Sequence, residues 1–237
     1  LIPTALKFGA NATDRVDCGS FTALGVPNAA TWAGWFISTS QGVVGQRIAQ
    51  KGNHYLTFAN AANNRVDFET GRSTTFLRAL AEASSFAVNW TTHLGTPVFI
   101  AGTYDIGASS LPRLYMGDLN TPAGEPSAYV TQTLGSGTVT DQSASNLLLG
   151  NNAVPNAPLN GSFFWFYAAS AEYSLAEIRR LQFVPNQNYR ACAGRWRLGA
   201  NGRGPVLDDA GNRNHGTITG AFPTNDVLPR VGRRWAA

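Results

Sequence analysis

The sequence is short of the residues on which most chemistry depends. Its 237 residues include two cysteines, three histidines, one methionine and two lysines, and only 14% are charged, against about 25% in ordinary domains. Two cysteines, Cys18 and Cys192, exclude a cysteine-stapled framework, and no Cys/His zinc spacing exists. A single bridge or two reduced thiols both remain open, a bridge requiring Cα atoms within about 7 Å. His54, His93 and His215 are scattered, and no Gly-x-Ser-x-Gly elbow accompanies them, so a Ser/His hydrolase is not expected. The longest apolar run, Phe163 to Ala169, is seven residues, whereas a membrane span needs about 20. Lys7 and the polar stretch after Gly9 interrupt any leader-like run at the N-terminus. No glycine-rich phosphate loop stands at a strand–helix junction.

What is present is apolar and turn-rich. Hydrophobic residues make up 43% of the chain, with 25 glycines and 12 prolines spread throughout. That composition excludes a disordered chain and suits many short strands joined by turns. One all-β domain of this kind commonly runs to about 200–250 residues. Strand signals are expected at Ala5–Phe8, Thr31–Ser38, Arg47–Gln50, His54–Asn60, Arg65–Glu69, Pro97–Tyr104, Arg113–Met116, Asn146–Gly150 and Ser162–Ala169. Ser174-Leu175-Ala176-Glu177 has the form of a capping box, in which Ser and Glu each satisfy the other's backbone amide, and predicts one short helix ending before Pro185. Thr75–Ala83 has a helix-forming composition beside strand-like neighbours, leaving a helix and an insertion open. Asn120–Ser127 and Asn151–Asn160 read as loops.

The charge is uneven. Residues 1–178 hold 8 basic and 11 acidic residues, and residues 179–237 hold 10 basic and 3 acidic. A basic tail suits an acidic partner or arginine-mediated protein contacts. Its arginines lack interleaved aromatics except at Arg195-Trp196-Arg197, so nucleic acid is not expected.

The order of motifs resembles the bacterial and phage members of the laminin-G-like, concanavalin A-like jelly-roll family. The resemblance is carried by Ala5-Leu6-Lys7-Phe8-Gly9 with Asp14 to Val16, by Trp32–Ile37, and by Gln50-Lys51-Gly52 with Tyr55-Leu56-Thr57-Phe58. Further along it is carried by Ile100-Ala101-Gly102-Thr103-Tyr104-Asp105 with Leu114-Tyr115-Met116-Gly117, by Asn146–Gly150, by Leu159-Asn160-Gly161 and by Tyr173 to Ile178. It implies an antiparallel β-sandwich (jelly roll) with one short helix, spanning residues 1–183. Residues 184–237 follow as an Arg-rich segment. Trp196-Arg197-Leu198-Gly199 and Asp209 to Thr217 resemble the edge segment that normally precedes such a domain. Here it would either complete the same sandwich or dock on a neighbouring copy.

Departures from the family pattern shape the functional expectation. Thr96-Pro97 stands where Trp-His is usual. Phe163-Phe164-Trp165-Phe166-Tyr167 is apolar on both faces, so one set of side chains needs a cover from another segment or subunit. The resemblance implies a non-enzymatic phage virion protein, a capsid decoration or tail-associated homo-oligomer contacting a capsid or tail protein. Its interface candidates are Phe164, Trp165, Phe166, Tyr167, Arg195, Trp196, Arg197, Arg233, Arg234 and Trp235. The alternative is a secreted or cell-surface lectin-like module, calcium-dependent or not, binding a glycan through Asn151, Asn152 and Asn156. Calcium would be sought from Asp14, Asp105 and Asp118, although Asp105 is as well suited to capping its own turn. A glycosidase is the distant third, since Asp67 and Glu69 share one strand face. The plainer reading of that pair is the solvent face of a half-buried strand.

Overall fold

The computed structural model describes residues 5–9, 11–39, 45–59, 64–89, 91–154, 157–185, 187, 189–199, 204–224 and 226. Among these residues fifteen strands form two antiparallel sheets. They are β1 (Ala5–Gly9), β2 (Arg15–Ser20), β3 (Ala29–Ser38), β4 (Gln46–Lys51), β5 (His54–Ala59), β6 (Arg65–Thr70), β7 (Leu77–Glu82), β8 (Pro97–Asp105), β9 (Ser110–Gly117), β10 (Thr131–Thr133), β11 (Asn146–Leu149), β12 (Asn160–Ala169), β13 (Cys192–Arg197), β14 (Thr217–Thr219) and β15 (Phe222–Thr224). One helix, α1 (Leu175–Phe183), separates β12 from β13. The seven-stranded sheet runs β15-β1-β12-β3-β8-β9, with β13 also on β12. The eight-stranded sheet runs β10-β7-β6-β5-β4-β11-β2-β14. Among the described residues, no helix is long and apolar enough to cross a membrane.

The two sheets press an aromatic core between them. Trp32 meets Phe68 at 6.1 Å and Phe166 at 5.9 Å, and Phe36 meets Phe58 at 5.0 Å. These offset and edge-on pairs are the arrangement that ring quadrupoles favour. Gly102 makes one such approach feasible: a Cβ there would lie 2.4 Å from the Phe68 ring.

A second apolar layer lies on the far side of the seven-stranded sheet, and β12 feeds both layers. Its register against β3 slips between Phe163 and Trp165, a bulge that breaks the alternation of side chains. Phe163 and Phe166 therefore enter the core, while Phe164, Trp165 and Tyr167 join the outer cluster. Helix α1 covers that cluster with Ile178 and Leu181. The helix begins as expected: Glu177 N donates to Ser174 Oγ (3.3 Å) and Ser174 N to Glu177 Oε2 (2.8 Å). Its last turn is bolted down by Gln182, whose Nε2 donates to Asp118 O and whose Oε1 accepts from Ala123 N. Trp35 Nε1 donates to Gln182 O across the same interface (2.9 Å).

Two expectations are corrected. Thr75–Ala83 is neither helix nor insertion. Its centre is β7, paired with β6 and β10, because Leu77, Ala79 and Ala81 bury one face while Arg78 stands on the other. The apolar β12 face is not a free interface either. Phe164 is 3% exposed, and Trp165, Phe166 and Tyr167 are also buried within their own chain.

The segment after α1 returns to both sheets of the same chain. β13 continues the β12 edge that β1 occupies at its other end. β14 pairs with β2, and β15 with β1. Trp196 is fully buried against Phe166, stacked at 6.0 Å. Arg195 is buried too, donating to the carbonyls of Pro185 and Gln187 (3.0 Å each) and to the Asp209 carboxylate. Arg197 reaches the same carboxylate from the exposed side at 2.5 Å. Arg195 and Trp196, expected at an interface, thus hold the C-terminal strands onto the sandwich. Arg233, Arg234 and Trp235 lie outside the described residues. Both cysteines are unbridged, Cys18 in the inter-sheet core and Cys192 beside the outer cluster.

Candidate functional site

Among the described residues, the outer face of the eight-stranded sheet has no helix over it and carries polar side chains in register. Alternation on β2 turns Val16 and Cys18 inward, leaving Arg15 and Asp17 outside. Pairing then runs Thr217–Asp17–Leu148–Gln50–Tyr55–Glu69–Arg78–Thr133, one residue from each of the eight strands. A bulge between Arg47 and Ala49 puts Arg47 on this face beside Gln50. Its guanidinium lies 3.8 Å above the Tyr55 ring, within cation–π range.

The two ends of this row differ. At the β2–β11–β4 end is a cleft of about 340 Å³, lined by Arg15, Asp17, Gln50, Asn146, Leu148 and Ala153 among others. Asp17 is held by Gly19 N and Asn146 Nδ2, each at 2.9 Å. Gln50 Nε2 donates to Gly52 O (2.7 Å), fixing the amide, but Gln50 Oε1 is buried without a partner. Arg15 Nε and Arg47 Nε are buried without partners as well. An unmet buried polar atom costs about 1–3 kcal/mol; Arg15 and Gln50 carry theirs in the cleft wall, and Arg47 lies next to Gln50 on the same face, outside that lining.

At the β6–β7 end the polar groups satisfy one another. Arg78 forks onto Asp67, with Nη2 to Oδ2 at 2.6 Å and Nε to Oδ1 at 3.0 Å, and reaches Glu69 at 3.4 Å. Burial lifts both carboxyls above their ordinary range, and Arg78 and Arg47 pull them partly back. For Glu69 the Tyr55 hydroxyl also helps to hold the charge, while the charge of Asp67 opposes it. Burial, followed by the hydrogen bond to Glu69, pushes Tyr55 well above its usual value. Asp67 and Glu69 are 3% and 6% exposed, so the expected half-buried solvent face is in fact covered by its own side chains. Both acids are ion-paired with Arg78.

No protein-family profile matches the chain, and no curated protein matches it in sequence. Solved structures do match. A protein of Bacteroides ovatus named for carbohydrate binding superposes with a TM-score of 0.62 at 13% identity, over 94% of this chain and 60% of that one. The fold is a concanavalin A/laminin-G-like jelly roll. The enzymatically active domain of tailspike protein 2 from bacteriophage CBA120 shares it at a TM-score of 0.50 and 12% identity, over 85% of this chain and 34% of that one. The mouse laminin α1 chain, domains LG4-5, superposes more loosely, at 0.43 and 10% identity over 73% of this chain and 44% of that one. This chain thus spans less than two thirds of the length of each.

Within the jelly roll, the expected glycan and calcium residues are largely structural. Asn151 is fully buried: its Nδ2 donates to Ala12 O (2.7 Å), and its Oδ1 accepts from Asn152 N and Ala157 N. It pins the loop rather than meeting a ligand, while Asn152 is half-buried and Asn156 lies outside the described residues. Ala153, in that same loop, lines the cleft. Asp105 Oδ1 caps its turn at Ala108 N, and Asp118 Oδ1 does so at Asn120 N and Thr121 N. Asp14 accepts from Gly9 N with one oxygen, while the other is buried and unpartnered. Among the described residues no three acidic, histidine or cysteine side chains gather as a metal site. The three aspartates do not fit a calcium ion: Asp105 and Asp118 stand at opposite ends of the β8–β9 hairpin.

Arg15, Asp17, Gln50 and Asn146 were not singled out by the sequence reading. Their signal was alternation: Arg15-Val16-Asp17-Cys18 has the period of a half-buried strand. The sequence does not show which strands lie beside one another, so four isolated polar residues could not be joined.

Proposed function

We propose that this chain is a non-catalytic carbohydrate-binding module whose ligand lies in the cleft across β2, β11 and β4. The observation that carries the reading is the pair of buried, unpartnered polar atoms on cleft-wall residues, Arg15 Nε and Gln50 Oε1, with the unpartnered Nε of Arg47 next to Gln50 on the same face. Sugar hydroxyls donate and accept together, so one saccharide can meet both cleft atoms. The likeness to the Bacteroides ovatus protein supports the fold on which this reading stands. The engagement of Asp67 and Glu69 by Arg78 argues against a hydrolytic pair.

A glycan array followed by calorimetry tests the reading. Wild-type protein should bind a defined saccharide with or without chelator. The double substitution Ala144→Gln and Ala153→Gln, at two exposed cleft positions, should abolish binding without moving the melting temperature. Undiminished binding by that variant would remove the cleft from consideration. A place in a virion is the second reading, favoured by the shared fold of the phage tailspike domain. It joins the first if the module presents its cleft from a tail to a surface glycan. The burial of Phe164–Tyr167 and Trp196 leaves any self-association to other surfaces, and light scattering of the purified chain tests it.

A further inference from the structure

We infer that the cleft selects an acidic sugar, whose carboxylate or sulfate group is held by Arg15 with Arg47 as the second cation. This rests on the carbohydrate reading above and narrows it. Six described arginines are buried or half-buried: Arg15, Arg47, Arg65, Arg72, Arg78 and Arg195. Arg65, Arg78 and Arg195 have carboxylate partners, and Arg72 donates to the carbonyls of Leu134 and Gly137. The side chains of Arg15 and Arg47 make no hydrogen bond or ion pair among the described residues, and the Nε of each is buried, Arg47 being stacked on the Tyr55 ring. A guanidinium Nε is the inner tine of the fork that grips a carboxylate or sulfate side-on. A buried Nε without an acceptor is a fork awaiting its anion.

The surroundings agree. Lys51 places a further buried ammonium against the carbonyl of Ser145, a residue of the cleft wall. Of the nearby acids, Asp17 has each oxygen bound by a neutral amide donor, and Asp141 is exposed, with Oδ1 accepting from Ser143 N. Asp67 and Glu69 are ion-paired with Arg78, and Arg47 also lies within their field. The cleft wall therefore presents the unpartnered guanidinium of Arg15, while the carboxylate beside it, Asp17, is held by two amide donors. Arg15 and Arg47 stand on strands two spacings apart, about 10 Å of backbone. Their side chains can converge on one acidic residue or on two neighbours in an oligosaccharide. Gln50 Oε1, facing the same cleft, is left to accept from a sugar hydroxyl.

The test compares saccharides that differ only in charge. Oligogalacturonate and its fully methyl-esterified form supply the carboxylate arm. A sulfated galactan oligosaccharide and its desulfated form supply the sulfate arm. Calorimetry on the wild-type chain should show one of the charged forms binding about tenfold or more tightly than its neutral counterpart. That preference should shrink as salt is raised. Arg15→Gln and Arg47→Gln should each weaken the charged form about tenfold while leaving the neutral form within about twofold. Arg15→Lys, which keeps the charge and loses the fork, should fall between. Equal binding of charged and neutral forms, or a preference untouched by both arginine substitutions, would overturn the inference while leaving the carbohydrate reading in place. If no saccharide binds, neutral or charged, both fall. Thermal melts of each variant separate lost binding from lost folding.

Discussion

The two outer faces of this sandwich have opposite fates. The outer face of the seven-stranded sheet is aromatic and sealed by α1, with Trp35, Phe99, Trp165 and Tyr167 packed beneath Ile178 and Leu181. The outer face of the eight-stranded sheet has no such cover among the described residues. Its polar row is self-satisfied at the β6–β7 end and unmet at the β2–β4 end. A face that is covered by its own chain contributes stability. A face left open with unmet hydrogen-bonding groups has a cost that a ligand can relieve.

Three measurements press on this contrast. The largest effect is expected from Trp165→Ala beneath the helix. Removing a buried ring that meets Phe99 at 6.0 Å should cost about 3–5 kcal/mol in chemical denaturation. A loss under about 1 kcal/mol would mean that the helix layer is not a packed core.

The second measurement probes the layer behind the open face. His54 is 2% exposed, and burial drives its imidazole down to about 4, partly offset by the backbone at Gly25 and Thr140. Neither ring nitrogen reaches hydrogen-bond geometry. The folded pKa lies below the unfolded one, so the unfolded chain binds the proton first. Stability present at neutral pH should fall by up to about 3 kcal/mol as pH drops from about 6.5 to about 4. The raised carboxyls of Asp67 and Glu69 act in the opposite sense, adding stability as pH falls through their folded values toward the ordinary ones. His54→Gln isolates the histidine: wild type should lose more stability than this variant across that window, and parallel curves would refute the assignment.

The smallest effect is expected from Asp67→Asn at the self-satisfied end. It leaves Arg78 without its fork, and because Arg78 is 36% exposed, the cost should be only about 1–2 kcal/mol. Saccharide binding at the other end of the row should be unchanged. Loss of binding would show that the two ends act as one site.

Much of the architecture was legible in the chain. The Ser174–Glu177 box announced the helix, since capping is chemistry between residues three apart. The aromatic strand around Trp32 and Trp35 and the turn at Gly52, whose φ is +57°, were equally local. Thr75–Ala83 was misread because composition favours a helix there, while long-range pairing with β6 and β10 decides for a strand. Asn151 looked like a loop ligand because its buried partners, Ala12 and Ala157, cannot be inferred from an Asn-rich stretch. Phe164 and Trp165 looked like a subunit contact because a bulge and a helix cover, neither written in the strand itself, put them inside.

The sequence by itself determined a charge-poor, aromatic, turn-rich chain able to form only a β-sandwich with one capped helix, since alternation and capping act over a few residues. Only the tertiary structure decided that the C-terminal strands complete their own sheets. It alone drew Arg15, Asp17 and Gln50 from two strands into one cleft, with Arg47 next to Gln50 on the same face. Which strands lie side by side is set by the burial of a whole core, and that is summed over the entire chain rather than read from any part of it.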